Sequence, residues 1–466
     1  MQYNKITPKL LKQLESLLPD HCISTQQEDI KSYGSDYTED LYFEPEVVIK
    51  PQSVDEIISV VKFCNQHLIP LTPRGAGTGL SGGALPVCNG IVLSMEKFNR
   101  IIFIDERNLQ VTCEPGVINQ HLQEAVKEKN LFYPPDPASK GSCFIGGNLA
   151  ENAGGPKAVK YGVTKDYVLN LEVVLPTGEL IWTGANVLKN STGYNLTQLM
   201  VGSEGTLGII TKVVFKLLPY PKYNLLMLVP FNSIHNACSA VSEVFRRGVI
   251  PSAMELMERD AIEFTAQHVQ TSIKLKDTTA AHLIVEVDGN DLELLYKECD
   301  VINEVMMSFE CDEILFADAQ SQKDEIWKLR RAAGEAVKTH SIYKEEDTVV
   351  PRAELPELLH GVKEIGKKHG FRSVCYGHAG DGNLHVNILK DNMTDDEWNK
   401  KLPFGIKEIF ELCVKLGGTI SGEHGIGWVQ KDYMPIALNE SNLKIQKGIK
   451  QLFDPNHILN PNKIFN

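Results

Sequence analysis

The sequence predicts an α+β protein made of two domains. Between about residues 45 and 218, glycine-rich segments alternate with short apolar runs that are typical of strands. Prolines at residues 219 and 221 then interrupt the pattern, and beyond them longer amphipathic segments alternate with apolar strands. The length of 466 residues favours two large domains over one.

Helical and strand periodicity predict the individual elements. Leucines at helical spacing predict an amphipathic helix near the N-terminus, at Leu10, Leu11, Leu14, Leu17 and Leu18. Strands are expected at residues 47–49, 69–71, 90–93, 171–175, 209–217 and 282–287, and helices at residues 53–67 and 118–129. We assign residues 1–218 to the first domain, with its core from about residue 40, residues 219–451 to the second, and residues 452–466 to a C-terminal segment that returns to the first.

The charge limits the partners of the protein. The 60 acidic and 47 basic residues give a net charge of −13, a field that repels nucleic acids and anionic lipid surfaces. We therefore expect no nucleic-acid partner. An acidic substrate must be bound by a few local cations.

Cysteine usage and hydropathy indicate the compartment. The ten cysteines include no Cys-x-x-Cys pair, which favours reduced thiols and argues against an iron–sulfur cluster. No run approaches the roughly 18 apolar residues of a membrane span, and the first residues do not resemble a signal peptide. We expect a cytoplasmic protein without a transmembrane segment; peripheral association with a membrane stays open.

A glycine-rich loop at residues 73–83 contains the pattern Gly-x-Gly-x-x-Gly, at residues 77–82. In a dinucleotide-binding βαβ unit a helix begins inside this pattern. Here Gly83, Pro86 and Asn89 follow before the next strand, so no crossover helix fits. We interpret the segment as a long loop whose backbone amides bind a diphosphate.

Two further segments have the same character. One runs from Pro134 through residues 146–148 to residues 152–155, and the other covers residues 202–210 and ends in a strand. Three separated glycine-rich segments in one domain predict a large elongated ligand that is bound mainly by the main chain.

The three segments resemble the FAD-binding domain of the vanillyl-alcohol oxidase flavoprotein superfamily. Their order and spacing are similar to its FAD-linked branch, which includes D-lactate dehydrogenases, glycolate oxidase catalytic subunits and D-2-hydroxyglutarate dehydrogenases. The resemblance covers residues from about 40 to 466. It implies a two-lobed fold, with a second, α+β substrate domain that contains an antiparallel sheet.

The resemblance also implies the cofactor residues. Residues 74–83 would hold the pyrophosphate of FAD, and residues 135–155 and 202–210 would line its flavin and adenosine ends. The implied cofactor-binding residues are Arg74, Gly75, Ala76, Gly77, Thr78, Gly79, Ser81, Gly82, Pro135, Asp136, Ser139, Gly146, Gly147, Asn148, Asn152, Gly154, Gly162, Glu204, Gly205, Ile210 and Asn460. Some superfamily members attach FAD through a histidine in the first loop; that loop contains Thr78 and no histidine, so we expect non-covalent FAD.

Two histidines flank an Asp-Gly dipeptide, which is favoured at the centre of a tight hairpin. If Asp381 and Gly382 occupy that centre, His378 and His385 lie directly opposite each other and can bind one metal ion. A third ligand is needed, and the glycine-flanked pair Glu423 and His424 offers candidates. Two histidines and a carboxylate suit Zn²⁺, Mn²⁺ or Fe²⁺, with zinc favoured.

In the resembling family, these two motifs carry the metal site and the general base. The match implies that His378, His385 and Glu423 are ligands, that His424 is the base and that Asn387 is a nearby polar contact. It also implies substrate-binding cations in the second domain. The candidates are Arg330, Arg331 and Lys344.

The resulting hypothesis is FAD-dependent oxidation of a small D-2-hydroxy acid, D-lactate or glycolate, to the 2-oxo acid. Residues 345–352 favour this branch over D-2-hydroxyglutarate dehydrogenase, which stays the alternative enzyme. A non-catalytic FAD-binding subunit is the alternative from another class. The electron acceptor is a quinone, a cytochrome, an electron-transfer flavoprotein or a partner subunit, and a homodimer is the base-rate expectation.

Overall fold

The computed structural model describes residues 2–273 and 275–465. The chain divides into two compact units, the first comprising residues 1–154, 163–220 and 423–466 and the second residues 155–162 and 221–422. The division at residue 220 lies next to the boundary expected at 219. Two segments depart from the expected division: residues 155–162 belong to the second unit, and residues 423–451 belong to the first.

The first unit contains three sheets. A four-stranded sheet has the order Ile23–Ser24, Val47–Ile49, Ile91–Ser94 and Leu71–Arg74. A five-stranded antiparallel sheet has the order Ile101–Asp105, Gln110–Cys113, Ile209–Lys216, Val168–Val174 and Leu180–Trp182. Leu131–Phe132 pairs with Leu218–Pro219. Four of the strands expected in this half are present with small shifts at their ends, whereas the strand expected at residues 69–71 lies at Leu71–Arg74 and shares only Leu71 with the prediction.

Helices cover these sheets and complete the core of the first unit. The α-helices are Pro8–Leu17, Gln27–Ser32, Val54–His67, Asn119–Lys127, Ile145–Glu151, Leu196–Met200, Met434–Ala437 and Glu440–Phe453, and the 3-10 helices are Asp20–Cys22, Thr164–Asp166 and Lys431–Tyr433. The N-terminal helix packs Leu14 into a core that includes Ile57, Ile91 and Leu459. Residues from both ends of the chain therefore share one core.

The glycine-rich loop connects two neighbouring parallel strands, Leu71–Arg74 and Ile91–Ser94. Residues 75–90, all of them described, contain no helix. Parallel neighbours usually need a helical crossover, so a long loop in this place is unusual and leaves many backbone groups outside helices and sheets. The expectation that no crossover helix follows the glycine pattern is confirmed.

The second unit is built on one seven-stranded antiparallel sheet. Its order is Leu315–Ala317, Tyr223–Phe231, Ala281–Gly289, Ala253–Glu258, Arg372–His378, Asn383–Leu389 and Tyr343–Val349. The α-helices are Ala158–Tyr161, Ile234–Arg246, Arg259–His268, Leu292–Ser308, Gln320–Arg331, Ala333–His340, Leu355–His369 and Leu402–Lys415; Glu397–Lys401 is a π-helix, and Arg352–Glu354 and Ala379–Asp381 are 3-10 helices. The predicted α+β class and the antiparallel sheet of the second domain are confirmed.

One face of this sheet differs from the other in its helices and its polar residues. The helix Gln320–Arg331 and the helix Ala333–His340 form an apolar cluster with Tyr376 and Met257 of the sheet. Side chains at alternate positions of a strand share a face, so Glu255 lies on this face beside Met257. We call this the site face, because the candidate residues described below lie on it. Among the described residues, no helix combines the length and apolarity needed to cross a bilayer.

We expect a buried histidine to make stability depend on pH. His282 is 2% exposed, and burial lowers its pKa to about 4. In the unfolded chain this histidine binds a proton as the pH falls below about 6.5, whereas in the folded protein it stays neutral until about pH 4. The free energy of unfolding should therefore decrease by about 2 kcal/mol between about pH 7 and about pH 5. His282→Met should remove this part of the dependence, measured by urea unfolding at both pH values.

The control is His121→Met at an exposed position, which should keep the pH dependence of the unmodified protein. An unchanged dependence in His282→Met would contradict the assignment.

Candidate functional site

The glycine-rich loop of the first unit offers unused backbone donors. Within the described part of the chain, the amides of residues 75–81 donate no hydrogen bond to the protein, whereas the next amide, that of Gly82, donates to Thr38 Oγ1 at 2.7 Å. Gly77 and Ser81 in this loop are buried. Buried amides without partners are costly, so the loop fits an anionic ligand such as a diphosphate.

Arg74 supports this loop from behind. Arg74 is 8% exposed, and its guanidinium donates to the carbonyl oxygens of Ser35 at 2.7 Å and Tyr33 at 3.3 Å. A Cβ at Gly77 would overlap the guanidinium, which shows how closely the loop packs over it. Burial lowers the pKa of Arg74, and the charge of nearby Asp36 opposes that shift. The arginine therefore joins the segment at Tyr33 and Ser35 to the start of the loop.

The other two glycine-rich segments meet at the same place. A Cβ at Gly75 would lie 3.6 Å from the Gly147 nitrogen, so the first loop touches the second segment. The amide of Gly202 donates to Leu149 O at 2.8 Å, and that of Glu204 donates to Ala150 O at 2.9 Å. The three segments that the sequence singles out thus form one cradle, which we define as residues 75–83, 144–152 and 202–206.

The C-terminal segment closes the cradle on one side. Asn460 Nδ2 donates to Gly83 O at 3.1 Å and to Glu204 O at 2.8 Å. Lys463 Nζ donates to the same Gly83 oxygen at 2.9 Å and to Leu85 O at 2.7 Å. Burial lowers the pKa of Lys463 to about 8, against the neighbouring carboxylates. The predicted Asn460 therefore acts on the loop, and Lys463 is a contact that sequence reasoning missed.

The remaining cofactor candidates lie at several positions. Asp136 is buried, 3.8 Å from Lys140. Asn152 ends the helix Ile145–Glu151 in the left-handed conformation. Ile210 lies in the strand Ile209–Lys216. Gly162 ends the helix Ala158–Tyr161 and so belongs to the second unit.

The turn between His378 and His385 differs from the prediction. His378 pairs with Asn383, and His385 pairs with Tyr376, so the expectation that the two histidines lie directly opposite each other is wrong. The chain turns through the 3-10 helix Ala379–Asp381 and through Gly382, whose φ of 76° is the left-handed region, and this longer turn shifts the register by two residues. A shift of two preserves the face, and the two rings lie 5.4 Å apart between centroids.

A carboxylate lies beside each of the two histidines. Glu255 is fully buried and lies 2.8 and 3.0 Å from Nδ1 of His378, while Glu345 lies 3.2 Å from Nδ1 of His385. Ligand atoms of the two histidines lie within 4.8 Å of one another. Histidines that bind metal usually donate their other ring N–H to a carboxylate. The donor set therefore fits a divalent metal ion of the kind expected.

The two arginine candidates have different surroundings. Arg330 is 6% exposed, lies 2.6 Å from Glu255 and places its guanidinium 5.1 Å from the centre of the Tyr376 ring. Among the described residues its Nε has no hydrogen-bond partner. Burial alone would raise the pKa of Glu255, but the charges of His378 and Arg330 hold it below its usual range. Arg331 is partly exposed and lies over Trp327 instead.

The structure brings Asn387 to the histidines but does not bring Lys344. Asn387 is fully buried, two residues from His385 in the same strand, and its Oδ1 has no partner among the described residues. Lys344 pairs with Ile388, on the opposite face of the sheet, and its Nζ lies 5.1 Å from the Trp398 ring. Of the predicted cations, Arg330 alone joins the buried network of Glu255 and His378 on the site face of the described chain.

Asp347 holds the two residues that precede Glu423. This fully buried carboxylate accepts hydrogen bonds from the Gly422 amide at 2.7 Å and from Ser421 Oγ at 3.0 Å. Glu423 follows Gly422 by one peptide bond and is the first residue of the returning segment of the first unit, with His424 next to it. The structure thus anchors the chain on the second unit at the residue before the expected third ligand.

Several residues of the site have no motif in the sequence. Glu255 and Asp347 lie in strands of mostly buried residues, and a carboxylate within such a strand is the signal that could have indicated them. Asp36 and Lys463 have no comparable signal, because they reach the cradle from distant parts of the chain.

Comparisons with known proteins agree with the motifs. Residues 45–184 match the model of the FAD binding domain family, and residues 220–464 match the model described as FAD linked oxidases, C-terminal domain. A D-lactate dehydrogenase of Anaerostipes hadrus is 37% identical, with 99% of this chain and 98% of that protein covered. The glycolate oxidase subunit GlcD of Bacillus subtilis is 38% identical, with 93% and 92% covered. A D-2-hydroxyglutarate dehydrogenase of Stutzerimonas stutzeri is 32% identical, with 98% and 99% covered.

Solved structures agree on the fold. A p-cresol methylhydroxylase structure superposes with a TM-score of 0.79 at 18% identity, with 98% of this chain and 96% of that chain covered. An alkyldihydroxyacetonephosphate synthase superposes with a TM-score of 0.75 at 17% identity, with 99% and 86% covered. The cradle, the two matching domain models and the relatives together identify the family: the chain belongs to the FAD-linked oxidases.

Proposed function

We propose that this protein is an FAD-dependent dehydrogenase that oxidises a small D-2-hydroxy acid, D-lactate or glycolate, to the 2-oxo acid. The observation that carries the proposal is the buried Arg330, which lies beside Glu255 on the face that holds His378 and has an Nε without a partner among the described residues. Such a group is suited to bind a carboxylate. Relatives named as D-lactate dehydrogenase and glycolate oxidase support the substrate class.

The residues that would hold the cofactors follow from the sequence and the local geometry. The unused amides of residues 75–81 would bind the diphosphate of a non-covalent FAD. His378 and His385, with Glu423 after the anchored Gly422, would hold one divalent ion, zinc by preference. Glu255 and Glu345 would keep the two imidazoles oriented toward it.

The protein's own groups perform the binding and the proton transfer. Arg330 fixes the substrate carboxylate, and Asn387 offers an oxygen acceptor on the same face. His424 takes the hydroxyl proton as general base. FAD, when bound, supplies the acceptor for the hydride that leaves C2, and the metal ion supplies positive charge that lowers the pKa of the hydroxyl. Loss of the proton and the hydride leaves the 2-oxo acid.

The charge of the site face favours a monocarboxylic substrate. Glu345 and Asp347 lie on this face in the strand that pairs with that of His385, whereas Glu255 and Glu286 are paired with Arg330 and Lys157. A second substrate carboxylate close to Glu345 and Asp347, and not bound to the metal ion, would be repelled. D-2-hydroxyglutarate is therefore the alternative substrate, and a direct comparison of the acids decides between them.

The electrons leave to an acceptor other than the substrate. Candidates are a quinone, a cytochrome, an electron-transfer flavoprotein or a partner subunit. Relatives from Bacillus subtilis and Escherichia coli are named as subunits, which supports the last of these. A cytoplasmic location and a homodimer stay predictions from the sequence.

Anaerobic mixing with each acid tests the proposal directly. D-lactate or glycolate should bleach the flavin absorption band, L-lactate should not, and chelation should abolish bleaching until metal is restored. His424→Ala should keep FAD but lose at least about a hundredfold in the rate of bleaching, because the proton acceptor is gone. His121→Ala, at an exposed position, is the control. Undiminished bleaching by His424→Ala would reject the assigned base, and bleaching by D-2-hydroxyglutarate alone would select the alternative substrate.

Arg330 and Arg331 form a matched pair for testing carboxylate binding. Arg330→Lys should raise KM by at least about tenfold, because an ammonium cannot reproduce the planar pair of hydrogen bonds. Arg331→Lys should leave KM within about twofold, because this side chain is partly exposed beside Trp327. Steady-state kinetics with D-lactate provides the measurement. Equal effects of the two substitutions would contradict the role of Arg330.

Metal retention tests the role of Glu255. Glu255→Gln should weaken metal binding by about 10- to 100-fold, because the amide no longer holds the His378 ring as a carboxylate does. Metal content after dialysis against a graded chelator is the measurement. Glu258→Gln is the control, because Glu258 is buried in the same strand but binds Lys363. Equal metal loss in both variants would show a general effect of removing a buried charge.

A further inference from the structure

A carboxylate of the first unit, that of Glu204, holds the loop that follows His424. Oε1 of Glu204 accepts a hydrogen bond from the Ile426 amide at 2.9 Å, and Oε2 accepts one from the Gly427 amide at 2.6 Å. The carboxylate is 6% exposed, so these two bonds are made away from water. Charge-assisted hydrogen bonds of this kind are about twice as strong as neutral ones.

The same loop is attached to the glycine-rich loop next to it. Ser81 O accepts hydrogen bonds from the amides of Trp428 at 2.9 Å and Val429 at 3.2 Å. A Cβ at Gly427 would overlap this oxygen, so the two loops touch through their backbones. The chain after His424 therefore packs on the cradle.

Glu204 is itself held rigidly. It has a φ of 51°, a conformation that is uncommon for a residue with a side chain. Its amide donates to Ala150 O at 2.9 Å, and its carbonyl accepts from Asn460 Nδ2 at 2.8 Å. A strained backbone that its surroundings fix on both sides indicates a position at which the direction of the side chain matters.

A second buried carboxyl group, that of Glu151, lies against the same loop. A Cβ at Gly425 would overlap Oε2 of Glu151 and would lie 3.1 Å from Oε1 of Glu204. Burial and the neighbouring charge of Glu204 raise the pKa of Glu151 well above its usual range. Burial also raises the pKa of Glu204, but the two amide hydrogen bonds oppose that shift. Of the two groups, Glu204 is thus the one whose charged form the loop stabilises.

These contacts direct the Glu204 side chain toward the loop, since each carboxylate oxygen accepts an amide hydrogen bond from it. They connect it to a loop that begins two residues after the base. The general base must lie within hydrogen-bond reach of the substrate proton, and a displacement of about 1 Å costs about a hundredfold in rate.

We propose that Glu204 is the positioning residue for His424: its carboxylate fixes the loop at Ile426 and Gly427 and thereby ties the base to the FAD-binding cradle. This role rests on the proposed function, because it presupposes that His424 is the base. It assigns Glu204 to the rate of the chemical step, not to the affinity for substrate.

The test is a comparison of Glu204→Gln and Glu204→Asp with the unmodified holoenzyme. Gln turns an amide donor toward one of the two backbone N–H groups, and Asp is too short to reach both. Measured at saturating FAD, kcat with D-lactate should fall at least tenfold while KM changes less than threefold. The isotope effect with D-lactate deuterated at C2 should rise, because the chemical step becomes slower. The flavin content and the unfolding temperature should stay close to those of the unmodified protein.

Glu114→Gln is the matched control. Glu114 is a buried carboxylate of the first unit that also accepts a backbone amide, that of Arg100 at 2.9 Å, but it lies outside the cradle. It should keep the unmodified kcat and isotope effect. A kcat within twofold of the unmodified value in both Glu204 variants overturns the proposal. The proposal also fails if the loss of activity is proportional to a loss of bound FAD that excess FAD does not restore. If His424→Ala remains active, the proposed function fails instead, and the two failures are distinct.

Discussion

The second unit depends most on one buried carboxylate. Glu255 lies in the middle of a seven-stranded sheet, fully buried, and interacts with both His378 and Arg330. A buried carboxylate without partners would be severely destabilising. Glu255 therefore requires Arg330 and His378 as partners, and it orients both of them. The same group thereby connects the imidazole that is proposed to hold the metal ion to the arginine that would bind the substrate carboxylate.

In the first unit, the main constraint is the hydrogen bonding of backbone amides in the glycine-rich loop. A loop between parallel strands replaces the usual crossover helix and leaves a series of amides without protein acceptors. Arg74 binds the carbonyl group of Ser35 beside the loop, and Asn460 and Lys463 bind that of Gly83 at its end. The amides of residues 75–81 stay available, which is the property that a diphosphate requires.

Two segments belong to a different unit from the residues that precede them in the sequence, and both contain charged residues. Residues 155–162 belong to the second unit through Lys157 and Lys160, which form ion pairs with Glu286 and Asp288. Residues from Glu423 onward return to the first unit immediately after Gly422 is bound by Asp347. A single boundary near residue 219 does not show these two departures, because hydropathy along the chain does not indicate which unit a charged segment packs against.

The sequence by itself determined the α+β class, the strands and helices with clear periodicity, the absence of a crossover helix after the glycine pattern and the motifs that indicate the family, because these depend on local periodicity and on contiguous residues. Only the tertiary structure decided the register of the histidine turn, the face on which Lys344 lies and the partners of Arg330 and Glu204. The turn shows why: Asp381 and Gly382 allow several turn lengths, and the choice among them depends on the packing of Gly382 against Val350 in another part of the chain. Such contacts join residues that are distant in sequence, so no local pattern records them.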